Sequence, residues 1–148
     1  MLEKVNALTE LVIGCAICVH KIVGPGLLER YYETALGIEL ASRGITFERQ
    51  VHVPVFYKGA WIGDYRVDVI VDNTVIVEIK SVERADPLFE AQVLAYLRAS
   101  GKPVGLLINF NSQLLRHGVR RFINSHWRDA EGRPLEPKNV SRNPNEPD

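Results

Sequence analysis

The sequence predicts an α/β fold in which helices flank one mixed β-sheet, in the order α-α-β-β-β-α-β, with one further strand left open at the end. Three observations carry this. Apolar residues recur at three-and-four spacing as far as Gly44, then alternate with polar ones through the middle of the chain. Helical spacing returns over residues 87–100, followed by an apolar run at 104–110.

Each element follows in order. Residues 3–22 place Leu8, Leu11, Val12, Cys15, Val19 and Ile22 on one helical stripe, which Gly24-Pro25-Gly26 stops. From residue 27 to about 42 a second stripe runs through Leu28, Tyr31, Tyr32, Ala35, Leu36 and Leu40, with Gly44 suited to end it. Val51, Val53 and Val55 then alternate with Gln50, His52 and Pro54, a strand turned by Lys58-Gly59, and Pro54 points to an edge strand or a bulge. Residues 61–71 and 74–82, rich in β-branched side chains, read as two more strands parted by Asp72-Asn73. Pro87 opens a third helix that Gly101 ends, and residues 104–110 read as a buried strand, with the open one at 115–123.

At 148 residues and 46% apolar composition the chain has room for one domain, expected over 1–124. Residues 125–148 hold Pro134, Pro137, Pro144 and Pro147 with few apolar groups, and are expected to form a disordered tail. Eighteen basic residues balance eighteen acidic ones, so any nucleic-acid surface must be local. The longest apolar stretch, residues 11–19, is well short of the ~20 needed to cross a bilayer, so no membrane partner is expected. The opening MLEKVNALTE lacks the pattern of a signal peptide, and cytoplasmic residence is the expectation. Cys15 and Cys18, one turn apart on the first helix, read as packing; a redox or metal pair would need a preceding strand or two further ligands.

Two charges interrupt the apolar run VIVEIKS. A strand with Val75, Ile76, Val77 and Ile79 on both faces should be buried, where Glu78 and Lys80 carry a desolvation cost unless paired or metal-bound. They share a face with Ile76. Asp68, in YRVDVIV, is an acid in a similar setting. If Val71 faces Val75 across a three-residue turn, Asp68 lies opposite Glu78 with Cβ atoms ~5 Å apart. Two carboxylates so placed suit Mg²⁺, and Lys80 would orient the attacking water of a phosphodiester hydrolysis. A structural ion pair on an exposed sheet face is the alternative. Gln92 and Tyr96, four apart, share a helix face and serve either a site or packing. Glu29, at the start of the second helix, is also where the helix dipole favours an acid, and His20 reads equally as a dipole-stabilised cation or a core histidine. Arg116, His117, Arg120, Arg121 and Arg128 form a late basic cluster that either contacts phosphates or solvates an outer strand.

Taken together, VHKIVGPGLLERYYETAL, QVHVPVFYKG, GDYRVDVIV, VIVEIKS, EAQVLAYL and VGLLINF resemble successive blocks of the GxxExxY family, whose name motif falls on Gly26, Glu29 and Tyr32. That family is similar to the PD-(D/E)XK nuclease superfamily, and the likeness covers about residues 5–124. The resemblance implies a restriction-endonuclease-like core of helix, three strands, helix and strand. It implies a catalytic set of Asp68, Glu78, Lys80 and Glu29, and a Mg²⁺ or Mn²⁺ ion held by Asp68, Glu78 and the Ile79 carbonyl. The resemblance further implies that His20 matches the upstream metal-binding histidine of RecB-type members. Gln92 and Tyr96 resemble the QxxxY motif of RecB-type exonucleases, where the pair supports the site and contacts DNA. Some of those enzymes hold an iron-sulfur cluster on four cysteines; with two cysteines here, none is expected.

The functional expectation is a metal-dependent nuclease acting on DNA. The alternatives are an inactive nuclease-fold module that binds nucleic acid or a protein, and a structural subunit of a larger assembly. A homodimer is compatible with the expectation, since cutting both strands often takes two subunits.

Overall fold

The computed structural model describes residues 1–135. The element order is α1 (Leu2–Val23), α2 (Glu29–Ser42), β1 (Phe47–Tyr57), β2 (Ala60–Val71), β3 (Val75–Lys80), α3 (Pro87–Ser100), β4 (Val104–Asn109) and β5 (Val119–Ile123). The expected α/β order is therefore present, and the strand left open exists. Its first residues instead form a 3₁₀ turn, Leu115–Gly118, which tucks Leu115 into the core.

The five strands lie in chain order in one mixed sheet. β1, β2 and β3 form an antiparallel meander, β3 and β4 run parallel across the α3 crossover, and β5 returns antiparallel. Asp72 and Asn73 turn the second hairpin in the left-handed region, which their short polar side chains tolerate, and Val71 pairs with Val75. β1 is an edge strand with a bulge between Val55 and Phe56, as Pro54 foreshadows.

Two apolar layers sandwich the sheet. On one face α1 and α2 cover Val69, Val71, Val75, Val77, Ile79, Val104, Leu106 and Ile108. On the other, α3 lays Val93, Tyr96 and Leu97 over Val67, Ile70, Ile76 and Leu107. α1 extends beyond the apolar stretch at 11–19, and by length and composition it reaches what a membrane-crossing helix needs. Its apolarity is used within the domain, where Val5, Val12, Cys15, Ala16 and Val19 are buried. Cys18 accepts a hydrogen bond from Arg43 at 3.0 Å, and both thiols are free.

Residues 125–135, assigned by composition to the tail, pack on the domain. Leu135 is buried and Trp127 lies against the core, while Asp129 accepts from the Arg133 backbone and side chain. Two apolar anchors suffice where average composition suggests none. The rest of the proposed tail, 136–148, lies outside the described residues.

α3 has a sharp beginning and end. Asp86 caps it by accepting from the Leu88 N–H at 2.9 Å, Pro87 occupies the first turn, and Gly101 closes it in the left-handed conformation. Its approach to the sheet depends on Gly105 of β4, where an added Cβ would stand 2.7 Å from Cγ1 of the buried Val93. Val93 is β-branched and has little rotamer freedom to yield. Gly105→Ala is therefore expected to lower unfolding free energy by roughly 1–3 kcal/mol, read by urea denaturation. An unchanged midpoint would show that α3 can lift without cost.

Candidate functional site

The site forms where β2 and β3 part. Their ladder runs Val71/Val75, Ile70/Ile76 and Val69/Val77, and stops one pair short of Asp68/Glu78. The break has a local cause: the Asp68 carboxylate accepts the Ile79 backbone N–H at 2.9 Å, occupying a donor that a continued ladder would use. On the other side, Gln50 lies in the stretch of β1 facing Asp68, between the Arg49/Val69 and Val51/Val67 pairs, and has φ 51°. Side-chain alternation changes phase here. Phe47 and Val69 face α1 and α2, whereas Val51, Val53, Tyr65 and Val67 face α3. The β1–β2 ribbon thus rolls over at Gln50 and Asp68.

Glu78 lies on the α3 face with Ile76 and Lys80, and is only 4% exposed. Lys80 Nζ reaches its Oε1 at 3.4 Å and rests 4.5 Å from the centre of the Phe89 ring. Oε2 is buried with no hydrogen-bond donor. Burial, and then the neighbouring Asp68 carboxylate, push the Glu78 carboxyl up to about 8, with Lys80 acting the other way. Asp68 is also raised, first by burial, against the lowering effect of the Ile79 N–H. The two carboxyl groups are within hydrogen-bonding reach of each other. Two acceptors facing one another are satisfied by a shared proton, by a cation or by a bridging donor such as water. A hard divalent ion with oxygen ligands and several waters of its own fits this donor set.

The surrounding elements hold these groups in place. From α3, the buried Tyr96 hydroxyl is pushed up to about 12, by burial and then by the charges of Glu78 and Asp68, and it shares a hydrogen bond with Gln92. From β4, Asn109 clamps the chain just past Lys80, accepting from the Val82 N–H at 3.1 Å and donating to its carbonyl at 2.9 Å. From α2 comes Glu33, buried at 7% exposure, whose carboxylate takes two hydrogen bonds from Arg49 at 3.1 and 2.8 Å and another from Gln50 Nε2. Its charge acts on Asp68.

The α1–α2 loop is latched over the end of β3. Tyr32 is fully buried, stacks on Phe110 with centroids 4.4 Å apart, and donates from its hydroxyl to the Gly24 carbonyl while accepting from the Leu27 N–H. Gly24 and Gly26 have φ of 71° and 96°, a conformation that suits residues without a Cβ. Ser81, next to Lys80, donates to the Leu27 carbonyl at 2.6 Å.

Asp68, Glu78, Lys80, Gln92 and Tyr96 are therefore brought together. Glu29 and His20 are not joined to them by any hydrogen bond or ion pair. Glu29 is exposed at the start of α2, and the buried His20 ring is engaged through Nε2 with the Ser112 carbonyl at 2.7 Å. Among the described residues no three His, Cys, Asp or Glu side chains are grouped as a metal site. Of the late basic residues, Arg120 pairs with Glu90 and Arg121 donates to Asn6. Glu33 and Asn109 are additions that sequence reasoning missed. Glu33 lies four residues beyond Glu29, one helical turn along, and Asn109 is the polar residue at the end of an apolar strand.

A family model described as the PD-(D/E)XK nuclease superfamily matches residues 6–122. Comparison with curated proteins and with solved structures gives no match.

The raised Glu78 carboxyl has a defined effect on stability. Between the ordinary value of 4.5 and about 8 the folded chain holds one proton more than the unfolded chain, so this group's contribution falls as pH rises through that window. In chelator-treated buffer, Glu78→Gln should gain on wild type from pH 5 to 8, by on the order of 1 kcal/mol per pH unit in urea denaturation. Parallel pH profiles for the two proteins would show that Glu78 titrates normally.

Proposed function

The chain belongs to the PD-(D/E)XK nuclease superfamily, and from that premise we propose that it is a divalent-metal-dependent phosphodiesterase acting on nucleic acid, with DNA as its substrate. The observation that carries this reading is the buried Glu78 carboxylate, whose Oε2 has no hydrogen-bond donor and whose neighbour is a second acid, Asp68. A purely structural ion pair would satisfy both partners. Here Lys80 occupies only one oxygen, and the neighbouring group is a second acid.

In the proposed mechanism Asp68 and Glu78, with the Ile79 carbonyl, hold Mg²⁺ or Mn²⁺. The bound ion supplies Lewis-acid polarisation of the phosphate and a lowered pKa for a water ligand. Lys80 carries its ammonium at the edge of Glu78, where it hydrogen-bonds the attacking water and offsets charge building on the phosphorus oxygens. Phe89 and Asn109 fix its direction by the ring contact and the clamp at Val82. Gln92 and Tyr96 orient the substrate backbone beside the acids. The acid of α2 that belongs to this site is Glu33 rather than Glu29, because it is buried and acts on Asp68. Arg49 and Gln50 anchor it, so its role is to position the β1–β2 ribbon around Asp68. Gly26 and Tyr32, with Glu29 between them, support placement in the GxxExxY branch, and there they serve the loop latch.

The test is cleavage of labelled single-stranded, duplex and branched DNA, and of RNA, in millimolar Mg²⁺ or Mn²⁺. Asp68→Ala, Glu78→Ala and Lys80→Ala should each lose roughly 100-fold or more in rate. The metal should raise the melting temperature of wild type and leave Asp68→Ala and Glu78→Ala unmoved. Cleavage surviving all three substitutions sinks the mechanism, and stabilisation by metal without cleavage of any substrate would favour a binding module. A Glu33→Gln loss of rate with wild-type metal stabilisation would fit the positioning role.

A further inference from the structure

Between the β1–β2 hairpin and α3, on the α3 side of the sheet, lies an open groove of about 450 Å³. We infer that it is a subsite for one nucleotide of a single-stranded nucleic acid, with the base stacked on Phe56 and Tyr65 and a phosphate on Arg98. The inference rests on the phosphodiesterase reading and extends it to the form of the substrate.

Position comes first. Tyr65 lines the groove and packs on Tyr96 with ring centres 5.2 Å apart, and Tyr96 in turn feels the charges of both acids. Ala95 and Ala99 form the α3 side of the groove, on the face that also carries Gln92 and Tyr96. From Tyr96 to Ala99 the helix rises about 4.5 Å, close to the roughly 3.4 Å spacing of stacked nucleotides along one strand. A strand bound with a phosphate at the acids would place a neighbouring nucleotide here.

Chemistry comes second. Seven residues line the groove, and Arg98 is the single charged one among them. It is exposed, and no other described residue pairs with its guanidinium. Phe56 is 61% exposed on β1, where it pairs with Trp61 of β2 and its ring is available as a stacking surface. An aromatic face, a methyl-lined floor and one exposed cation match a base and its phosphate, and the stacking tolerates any base. A second groove of about 410 Å³ opens near the start of β1, but there two acids, Glu48 and Asp72, stand against the one lysine, Lys102, and no exposed aromatic matches Phe56.

The experiment uses the full chain carrying Glu78→Gln to prevent turnover, in Mg²⁺. Anisotropy compares a labelled ten-residue oligothymidylate with an abasic strand of equal length. Phe56→Ala should weaken oligothymidylate binding about 10-fold and leave the abasic strand unchanged, and Phe56→Trp should restore it. Arg98→Ala should weaken both strands and flatten the salt dependence by about 0.7. Wild-type protein is assayed in parallel for cleavage. If wild type cleaves and neither substitution alters binding, the subsite is overturned while the phosphodiesterase reading stands. If wild type binds without cleaving and Phe56→Ala still loses binding, the subsite stands and hydrolysis falls. Absence of both binding and cleavage overturns the two together. A Phe56→Ala change that splits a dimer in sedimentation, with affinity unchanged, assigns the hairpin to a second copy and also overturns the subsite.

Discussion

The bond from the Ile79 backbone N–H to the Asp68 carboxylate sets the geometry of everything around it. A ladder that simply stopped between two buried strands would leave main-chain groups unpaired, at a cost of a few kcal/mol. By taking that donor with a side chain, Asp68 ends the pairing without stranding the Ile79 N–H, and β2 is released from β3 beside Glu78. The same residue faces the left-handed Gln50, so the outer ribbon also turns over at this point. That rotation brings Glu33, from the helix layer on one face, within electrostatic range of a carboxylate whose partner Glu78 faces the opposite layer.

Charge balance follows from this crowding. Glu33 is neutralised by Arg49 through two hydrogen bonds to one oxygen, and Glu78 has Lys80 at one oxygen. Asp68 has a backbone donor but no cation of its own in hydrogen-bond contact. Three carboxylates against two cations leave one unit of negative charge in a mostly buried volume. Burial first, and then the charge of Asp68, drive the Glu78 carboxyl up to about 8, so that without metal a proton on Glu78 relieves the excess. On the proposed metal-dependent reading a divalent cation would relieve it more completely and return the Glu78 carboxyl to its charged form, so proton and metal would compete for one place.

Much of the fold was legible because its elements carry strong periods and clean punctuation. The turn at Asp72-Asn73 was readable, and Val71/Val75 was the register that would bring Asp68 close to Glu78; the structure has that pairing. What could not be read was the break in the ladder itself. Alternation assumes continuous strands, and nothing in YRVDVIV distinguishes an aspartate that pairs normally from one that captures a backbone N–H. Glu33 was missed for a related reason. Glu29 and Glu33 share one face of α2, and only the rolled ribbon bearing Arg49 and Gln50 shows which of them is buried. Asn109 was hidden because its clamp on Val82 joins residues 27 positions apart. Leu135 and Trp127 were hidden by a proline-rich neighbourhood in which two apolar contacts do not alter the composition.

The division between rigid and accessible parts also traces back to β2. Its inner half is locked in the sheet centre by Val69, Ile70 and Val71, all buried, while its outer half runs into a hairpin whose Phe56, Tyr57, Trp61 and Ile62 are exposed. Asp68 sits at the junction, three residues from Tyr65 and the groove along α3. A ligand that draws on the hairpin acts on the strand that also carries Asp68. Gln50, strained into the left-handed region and tied to Glu33, resists rotation of that junction from the neighbouring strand. The acids thus sit where the buried centre of the sheet ends, and the surface proposed to grip a substrate is its most exposed part, with β2 running from one to the other.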